Sequence, residues 1–167
     1  MMNSIATMNA YGYSPQPETV KSIQRQAFLA PLMQYLPTPK KRRFQAYCVG
    51  LPRSGTHSLG YMFDPHYSSK HEPAKKVTLS HLLRYLDGTY SDNQWKALLR
   101  CRDRKLGLEL ESSHYLHHTL PILAEMYPEA KFIHTVREPF SWLASEINQY
   151  LNTAETPLWR AIVRARY

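Results

Sequence analysis

Residues 44–58 have the sequence FQAYCVGLPRSGTHS, in which a run of strand-favouring side chains is followed at once by a loop rich in glycine and hydroxyl groups. Phe44 to Val49 predict a short β-strand, and Thr56 begins a segment that we predict to be helical. Gly50 and Gly55 have the spacing of a phosphate-binding loop. Such a loop turns backbone N–H groups inward, and the next helix adds its positive end, so the stretch predicts an anion site.

This loop carries its positive charge in an unusual place. Thr56 stands where an ATP- or GTP-binding loop has lysine, and the cation lies instead at Arg53. The difference argues against ordinary ATP or GTP hydrolysis and favours another anionic ligand without magnesium. Two alternatives stay open at this point. One is a kinase or nucleoside triphosphatase with a variant loop, and the other is a plain glycine and proline turn between a strand and a helix.

The rest of the chain alternates predicted strands with predicted helices. We predict strands at 66–70, 106–111 and 131–136, and helices at 20–31, 78–86, 91–99, 115–127, 139–151 and from 156 onward. The alternation predicts an α/β fold, a P-loop NTPase-like parallel sheet flanked by helices. Glu109 and Glu111 alternate with leucines, which favours a half-buried strand over a pair of catalytic carboxylates. Ligands of such sheets bind beyond the carboxyl ends of the strands.

Composition is that of a globular protein, with 43% hydrophobic and 20% charged residues in a chain of 167. No stretch approaches the roughly 20 apolar residues of a membrane span, and the first residues do not resemble a secretory signal. Cys48 and Cys101 are far apart and match no metal spacing. A disulfide scaffold is therefore excluded, and we expect a reducing, cytoplasmic compartment.

Basic residues outnumber acidic ones by 21 to 13, giving a net charge of +8, which favours an anionic partner. Lys40 to Arg43 hold four of the positive charges. We interpret residues 1–43 as a flexible arm with one short helix and a solvated basic linker, and residues 44–167 as the main domain. A localisation signal or a non-catalytic basic binding module is the alternative. Nucleic acid is not expected as a partner, because no basic helix with interleaved aromatic residues supports it.

A second motif follows the strand predicted at 131–136. Arg137-Glu138-Pro139 comes directly after it, and Ser145 lies eight residues beyond Arg137. An arginine at a strand end offers a planar donor fork to phosphate, and eight helical residues, a little over two turns, bring a hydroxyl back to it. The alternative is that Arg137 pairs with Glu138 or Glu129 and that Ser145 is an ordinary helix residue.

Together the two motifs resemble the sulfotransferases that use 3′-phosphoadenylyl sulfate (PAPS), over roughly residues 44–151. In that family a Pro-Lys/Arg-Ser-Gly-Thr loop binds the 5′-phosphosulfate, and an arginine and a serine spaced like Arg137 and Ser145 bind the 3′-phosphate. The resemblance implies transfer of a sulfuryl group from PAPS, without a metal, to a hydroxyl or amine of a small molecule, glycan or protein. The donor-binding residues that it implies are Arg53, Ser54, Gly55, Thr56, His57, Ser58, Arg137 and Ser145. Arg53 would also offset charge on the departing phosphate.

The resemblance leaves the general base open between two residues. His114 follows the predicted strand at 106–111, near the position of the catalytic histidine in cytosolic family members. Glu72 follows the strand at 66–70, near the catalytic glutamate of Golgi-type and several bacterial members. Both loops should open on the same edge of the sheet, and His71 is a weaker third candidate. No acid or cysteine completes a metal site with His114 and its neighbouring histidines, so no metal is expected.

Family members continue beyond the serine anchor, with a later loop that also contacts the 3′-phosphate. No equivalent loop is found in this sequence. We therefore interpret the chain as the N-terminal, donor-binding portion of the family domain, with its acceptor site incomplete.

Overall fold

A computed structural model describes residues 17–33, 41–152 and 156–166, which fold as two compact units. The predictions for residues 1–16 and 34–40 lie outside this description. The elements are, in chain order, α1 (Pro17–Met33), β1 (Ala46–Gly50), α2 (Thr56–Phe63), β2 (Ser69–His71), α3 (Lys75–Leu86), α4 (Asp92–Leu106), β3 (Leu110–Ser112), a 3₁₀ helix (His114–Thr119), α5 (Leu120–Met126), β4 (Lys131–Thr135), α6 (Pro139–Asn152) and α7 (Pro157–Arg166).

One unit contains the four strands, which form a single parallel sheet in the order β2-β3-β1-β4. Ala46–Gly50 of β1 lie opposite Lys131–Thr135 of β4, and β3 pairs with β1 on its other side. With its flanking helices this sheet confirms the predicted α/β fold. Because all strands are parallel, the residues that follow β1, β2, β3 and β4 meet at one edge of the sheet.

The strand β1 is buried along its whole length and forms the centre of this unit. Ala46, Cys48 and Leu110 make a buried cluster, against which Leu59 of α2 and Ile133 of β4 pack. Burial raises the pKa of the Cys48 thiol.

The sequence prediction for β3 was wrong in two respects. Leu106 is the last residue of α4, and the strand begins only at Leu110. The alternation of Glu109 and Glu111 with leucines does not mark a half-buried strand, since both glutamates are as buried as Leu108 and Leu110. The reason is that β3 lies between β1 and β2, where a strand of a parallel sheet is covered on both faces.

An arginine of the basic run neutralises one of these glutamates. Arg43 donates to the Glu109 carboxylate from Nε at 2.7 Å and from Nη2 at 2.8 Å, and the Ser68 N–H donates to the same carboxylate at 3.0 Å. The Arg43 guanidinium also lies 4.6 Å from the centre of the Tyr67 ring. Arg43 thus pairs with the buried Glu109 carboxylate, while its own side chain stays 62% exposed.

Acid is expected to destabilise the fold through this ion pair. The pKa of Glu109 is lowered from 4.5 to about 2, chiefly by the hydrogen bond from the Arg43 side chain. A carboxylate whose pKa is lower in the folded chain adds stability above its unfolded pKa, and this stability is lost as the pH falls from about 4.5 towards 2. We expect the urea midpoint of Glu109→Gln, measured by circular dichroism, to fall less than that of the wild type between about pH 5 and about pH 3.

The control for this experiment is Glu129→Gln, which removes one negative charge from an exposed position. A Glu109→Gln variant that loses stability in acid as steeply as the wild type would contradict the prediction.

The other unit contains α1, α3, α4 and α7 and confirms several local predictions. Leu79, Leu82 and Leu83 of α3 are buried, within a stretch from Thr78 to Arg84 that is buried at every position. Ser91 and Gln94 form a capping box, because the Ser91 N–H donates to Gln94 Oε1 at 2.9 Å and the Gln94 N–H to Ser91 Oγ at 3.4 Å. Among the described helices of the chain, none combines the length and apolar character that spanning a membrane requires.

Candidate functional site

The loop of residues 50–58 leaves β1 at the carboxyl edge of the sheet and turns tightly. A Cβ at Gly50 would lie 2.3 Å from Thr135 Oγ1 and 2.7 Å from Thr135 O, so only glycine allows β4 to approach the loop this closely. Arg53 has φ +65° and Gly55 has φ +112°. The left-handed backbone at Arg53 is unusual for a residue with a side chain, and it occurs where the chain reverses towards α2.

Three other elements hold this loop in place. Ser54 Oγ lies 2.8 Å from Thr135 Oγ1 of β4, and Ser112 Oγ of β3 donates to Thr56 O at 2.5 Å. Trp142 of α6 donates from Nε1 to Pro52 O at 2.8 Å. The contribution of Trp142 had no signal in the sequence, where it looked like any aromatic residue of a helix.

The backbone N–H groups in the first turn of α2 are not used by the helix itself. The first backbone bond of this helix runs from the Leu59 N–H to Gly55 O at 3.1 Å, so the N–H groups of residues 56–58 have no acceptor within the helix. The Ser54 N–H is not free in the same way, because it donates to Leu51 O at 3.2 Å inside the loop. Free donors at the positive end of α2 suit an anion.

The second predicted anchor lies against the same loop. Arg137 follows β4 and donates from Nη1 to Arg53 O at 3.1 Å, and Arg53 donates from Nε to Ser145 Oγ at 2.9 Å. Arg137 and Ser145 are thus neighbours of Arg53 in the structure, although they lie 84 and 92 residues from it in the sequence. Both guanidinium groups therefore lie at the same edge of the sheet, beside the loop.

Glu138, the alternative partner of Arg137, has a different task. Its carboxylate accepts the Ser141 N–H at 2.7 Å and the Phe140 N–H at 2.9 Å, and so caps the N-terminus of α6. These backbone bonds, that from Ser141 first, lower the pKa of Glu138. The cap fixes the start of the helix that carries Trp142 and Ser145.

The two candidate bases form a pair. Glu72 follows β2 and His114 follows β3, and Glu72 Oε1 is in direct contact with His114 Nδ1. Their side chains are only 10% and 8% exposed. Glu72 has φ +45°, and its N–H donates to Ser112 O at 2.9 Å, which ties the turn after β2 to the end of β3. His71 Nε2 lies 3.7 Å from the same Glu72 oxygen.

The contact with Glu72 decides which nitrogen of His114 could accept a proton. A neutral imidazole that donates from Nδ1 to a carboxylate carries its lone pair on Nε2. His114 Nε2 is buried and has no hydrogen-bond partner within the described part of the chain. The pair can therefore take up a proton at Nε2 and stabilise the resulting positive charge through Glu72.

His57, a predicted donor-binding residue, is exposed at the start of α2. Its ring centre lies 4.5 Å from that of Tyr61 and 4.9 Å from that of His71.

The rings of His117 and His118 are 3.8 Å apart, centre to centre. In the three described ranges, no group of three or more histidine, cysteine, aspartate or glutamate side chains is arranged to hold a metal ion.

Comparison with models of known protein families gives a match that covers most of the chain. A family model described as "Sulfotransferase domain" matches residues 45–167, a range that includes the loop at 50–58, Arg137 and the Glu72–His114 pair. No curated protein matches the chain. The family match confirms the resemblance that the sequence motifs carry.

Proposed function

Since the chain belongs to the sulfotransferase domain family, we propose that it transfers a sulfuryl group from PAPS to a hydroxyl or amine of an acceptor. The observation that carries the proposal is the convergence at one sheet edge of the arginine-bearing loop, the Arg137 and Ser145 anchor, and the Glu72–His114 pair. The cytoplasm is the compartment that we propose, supported by Cys48 and Cys101, which are buried free thiols.

The residues around the loop fit a bisphosphorylated nucleotide. We assign the 5′-phosphosulfate to the Arg53 guanidinium and to the N–H groups of residues 56–58, where the loop and the helix end supply donors and positive charge. We assign the 3′-phosphate to Arg137 and Ser145. The hydrogen bonds from Arg137 to Arg53 O and from Arg53 to Ser145 Oγ support this assignment, because they bring the loop and the second anchor together.

Bound PAPS supplies the sulfuryl group, whose S–O bond to the 5′-phosphate breaks while a bond to the acceptor oxygen or nitrogen forms. Arg53 then offsets the negative charge on the departing phosphate oxygen. His114 Nε2 accepts the proton of the acceptor, and Glu72 holds the Nδ1–H and stabilises the imidazolium. In this proposal Arg53 and His114 are catalytic residues, and Glu72 is a positioning residue.

Titration calorimetry with adenosine 3′,5′-bisphosphate tests the proposal on the full chain. We expect saturable binding with the same affinity in EDTA and in magnesium, because arginines and amides take the place of a metal. Adenosine 5′-monophosphate, which lacks the 3′-phosphate, should bind about 10- to 100-fold more weakly, the loss of one or two hydrogen bonds to a charged group. No binding of the bisphosphate, or tighter magnesium-dependent binding of ATP, would overturn the proposal in favour of a variant nucleoside triphosphatase.

A further inference from the structure

A cavity of about 230 Å³ lies between α2 and the edge strand β2, in the same unit as the 50–58 loop. Its lining residues are Gly60, Tyr61, Asp64, Ser69, Lys70 and His71. Drug-sized ligands fill cavities of about 300–1,000 Å³, so this one suits a smaller group, on the order of one ring. We refer to it as the α2–β2 cleft.

The floor of the α2–β2 cleft is fixed by close packing of backbone. A Cβ at Gly60 would lie 3.2 Å from the His71 Cβ and 3.3 Å from the Ser112 Cβ, so α2 sits almost directly on the sheet at this point. Ser69 Oγ is buried and donates to Gly60 O at 2.8 Å. The two walls of the cleft are thereby held at a set spacing.

Side chains on both walls present unused recognition groups. Tyr61 is 61% exposed, and the centre of its ring lies 4.5 Å from that of His57. Asp64 and Lys70 are exposed, and among the described residues no protein group bonds to the Asp64 carboxylate or the Lys70 ammonium. An exposed aromatic face, a hydroxyl-accepting carboxylate and an ammonium together match a sugar ring, which has an apolar C–H face and a rim of hydroxyls.

We propose that the α2–β2 cleft binds one sugar ring of an acidic saccharide, which would be the acceptor. The inference rests on the proposed function and narrows its acceptor class. Tyr61 packs on the C–H face of the ring, Asp64 accepts hydrogen bonds from neighbouring hydroxyls, and Lys70 pairs with a carboxylate. A flat phenol or a lipid chain would instead need an enclosed apolar cavity, whereas this cleft is open and polar.

The cleft leads to the residues that we propose to remove the acceptor proton. His71 lines the cleft, and its Nε2 lies 3.7 Å from Glu72 Oε1, which in turn contacts His114. His71 is therefore a common neighbour of the cleft and of the Glu72–His114 pair. This continuity distinguishes the cleft from an isolated surface depression.

Saturation-transfer NMR and calorimetry on the full chain test the cleft, with a glucuronate–N-acetylglucosamine disaccharide as the probe and adenosine 3′,5′-bisphosphate present. We expect binding of this probe, and a loss of affinity of about 10-fold for Tyr61→Ala and for Asp64→Asn. The matched control is Met62→Ala, since Met62 is 66% exposed on the same helix but does not line the cleft. Lys70→Ala should remove the preference for the acidic probe over a neutral disaccharide, whereas Lys131→Ala should not.

Each result has a distinct meaning. Failure of the wild type to bind any saccharide while it binds the bisphosphate overturns the cleft and leaves the donor proposal intact. Saccharide binding that is unchanged in Tyr61→Ala and Asp64→Asn also overturns the cleft, as does preferential binding of p-nitrophenol or a tyrosine peptide. Saccharide binding that these variants weaken supports the cleft even if the bisphosphate does not bind, a result that would reject only the proposed donor.

Discussion

His114→Ala is expected to lower the rate of sulfuryl transfer by about 10²- to 10⁴-fold, the usual contribution of a general base. The reason is that His114 Nε2 has no other hydrogen-bond partner in the described ranges, whereas Nδ1 is in contact with Glu72. The rate is measured as release of adenosine 3′,5′-bisphosphate from PAPS, with the glucuronate disaccharide and p-nitrophenol as acceptors. His134→Ala, an exposed histidine on β4, serves as the control.

Glu72→Gln separates a positioning role from that of an independent base. If Glu72 acts through His114, the two residues work as one unit and their losses do not add. We therefore expect the double variant to be no slower than His114→Ala alone. All variants should bind adenosine 3′,5′-bisphosphate as the wild type does, which shows that the fold and the donor site are intact. Additive losses, or a His114→Ala variant with the wild-type rate, would contradict the proposed roles.

The parts of the site that are local in sequence were predictable. A strand, a glycine loop and a helix are encoded within residues 44–63, and the structure has all three. The glycine at position 50 belongs to this local pattern, because a tight loop at the end of a central strand leaves no room for a Cβ. The capping box at Ser91 was likewise readable, since its bonds join residues three positions apart.

The parts that depend on strand order were not predictable to the same degree. Sequence position put Glu72 and His114 on the same sheet edge but left them as alternatives, because a contact between them requires β2 and β3 to be adjacent. The same adjacency buries both faces of β3 and makes Glu109 a structural anion for Arg43. Alternation in a single sequence cannot tell a glutamate facing water from one facing an arginine far along the chain.

Arg53→Ala and Arg137→Ala are each expected to weaken binding of adenosine 3′,5′-bisphosphate by about 10- to 100-fold, from the loss of hydrogen bonds to a charged group. Their effects should differ with the ligand. Arg137→Ala should leave the affinity for adenosine 5′-monophosphate nearly unchanged, because that ligand lacks the 3′-phosphate. Arg53→Ala should weaken both ligands, because the proposal assigns the 5′ end of the nucleotide to the loop. Calorimetry measures the affinity of each variant for each nucleotide, and these four affinities are compared with those of the wild type.

Arg137 also donates to Arg53 O, so its removal could loosen the loop instead of removing a phosphate contact. Arg137→Lys addresses this, because lysine keeps the charge but cannot offer the planar fork. A phosphate role predicts that Arg137→Lys binds the bisphosphate with an affinity between those of the wild type and Arg137→Ala, with the monophosphate unaffected in both variants. Equal weakening of the two nucleotides by Arg137→Ala would instead mean that this arginine only supports the loop. The 3′-phosphate would then have to be held elsewhere.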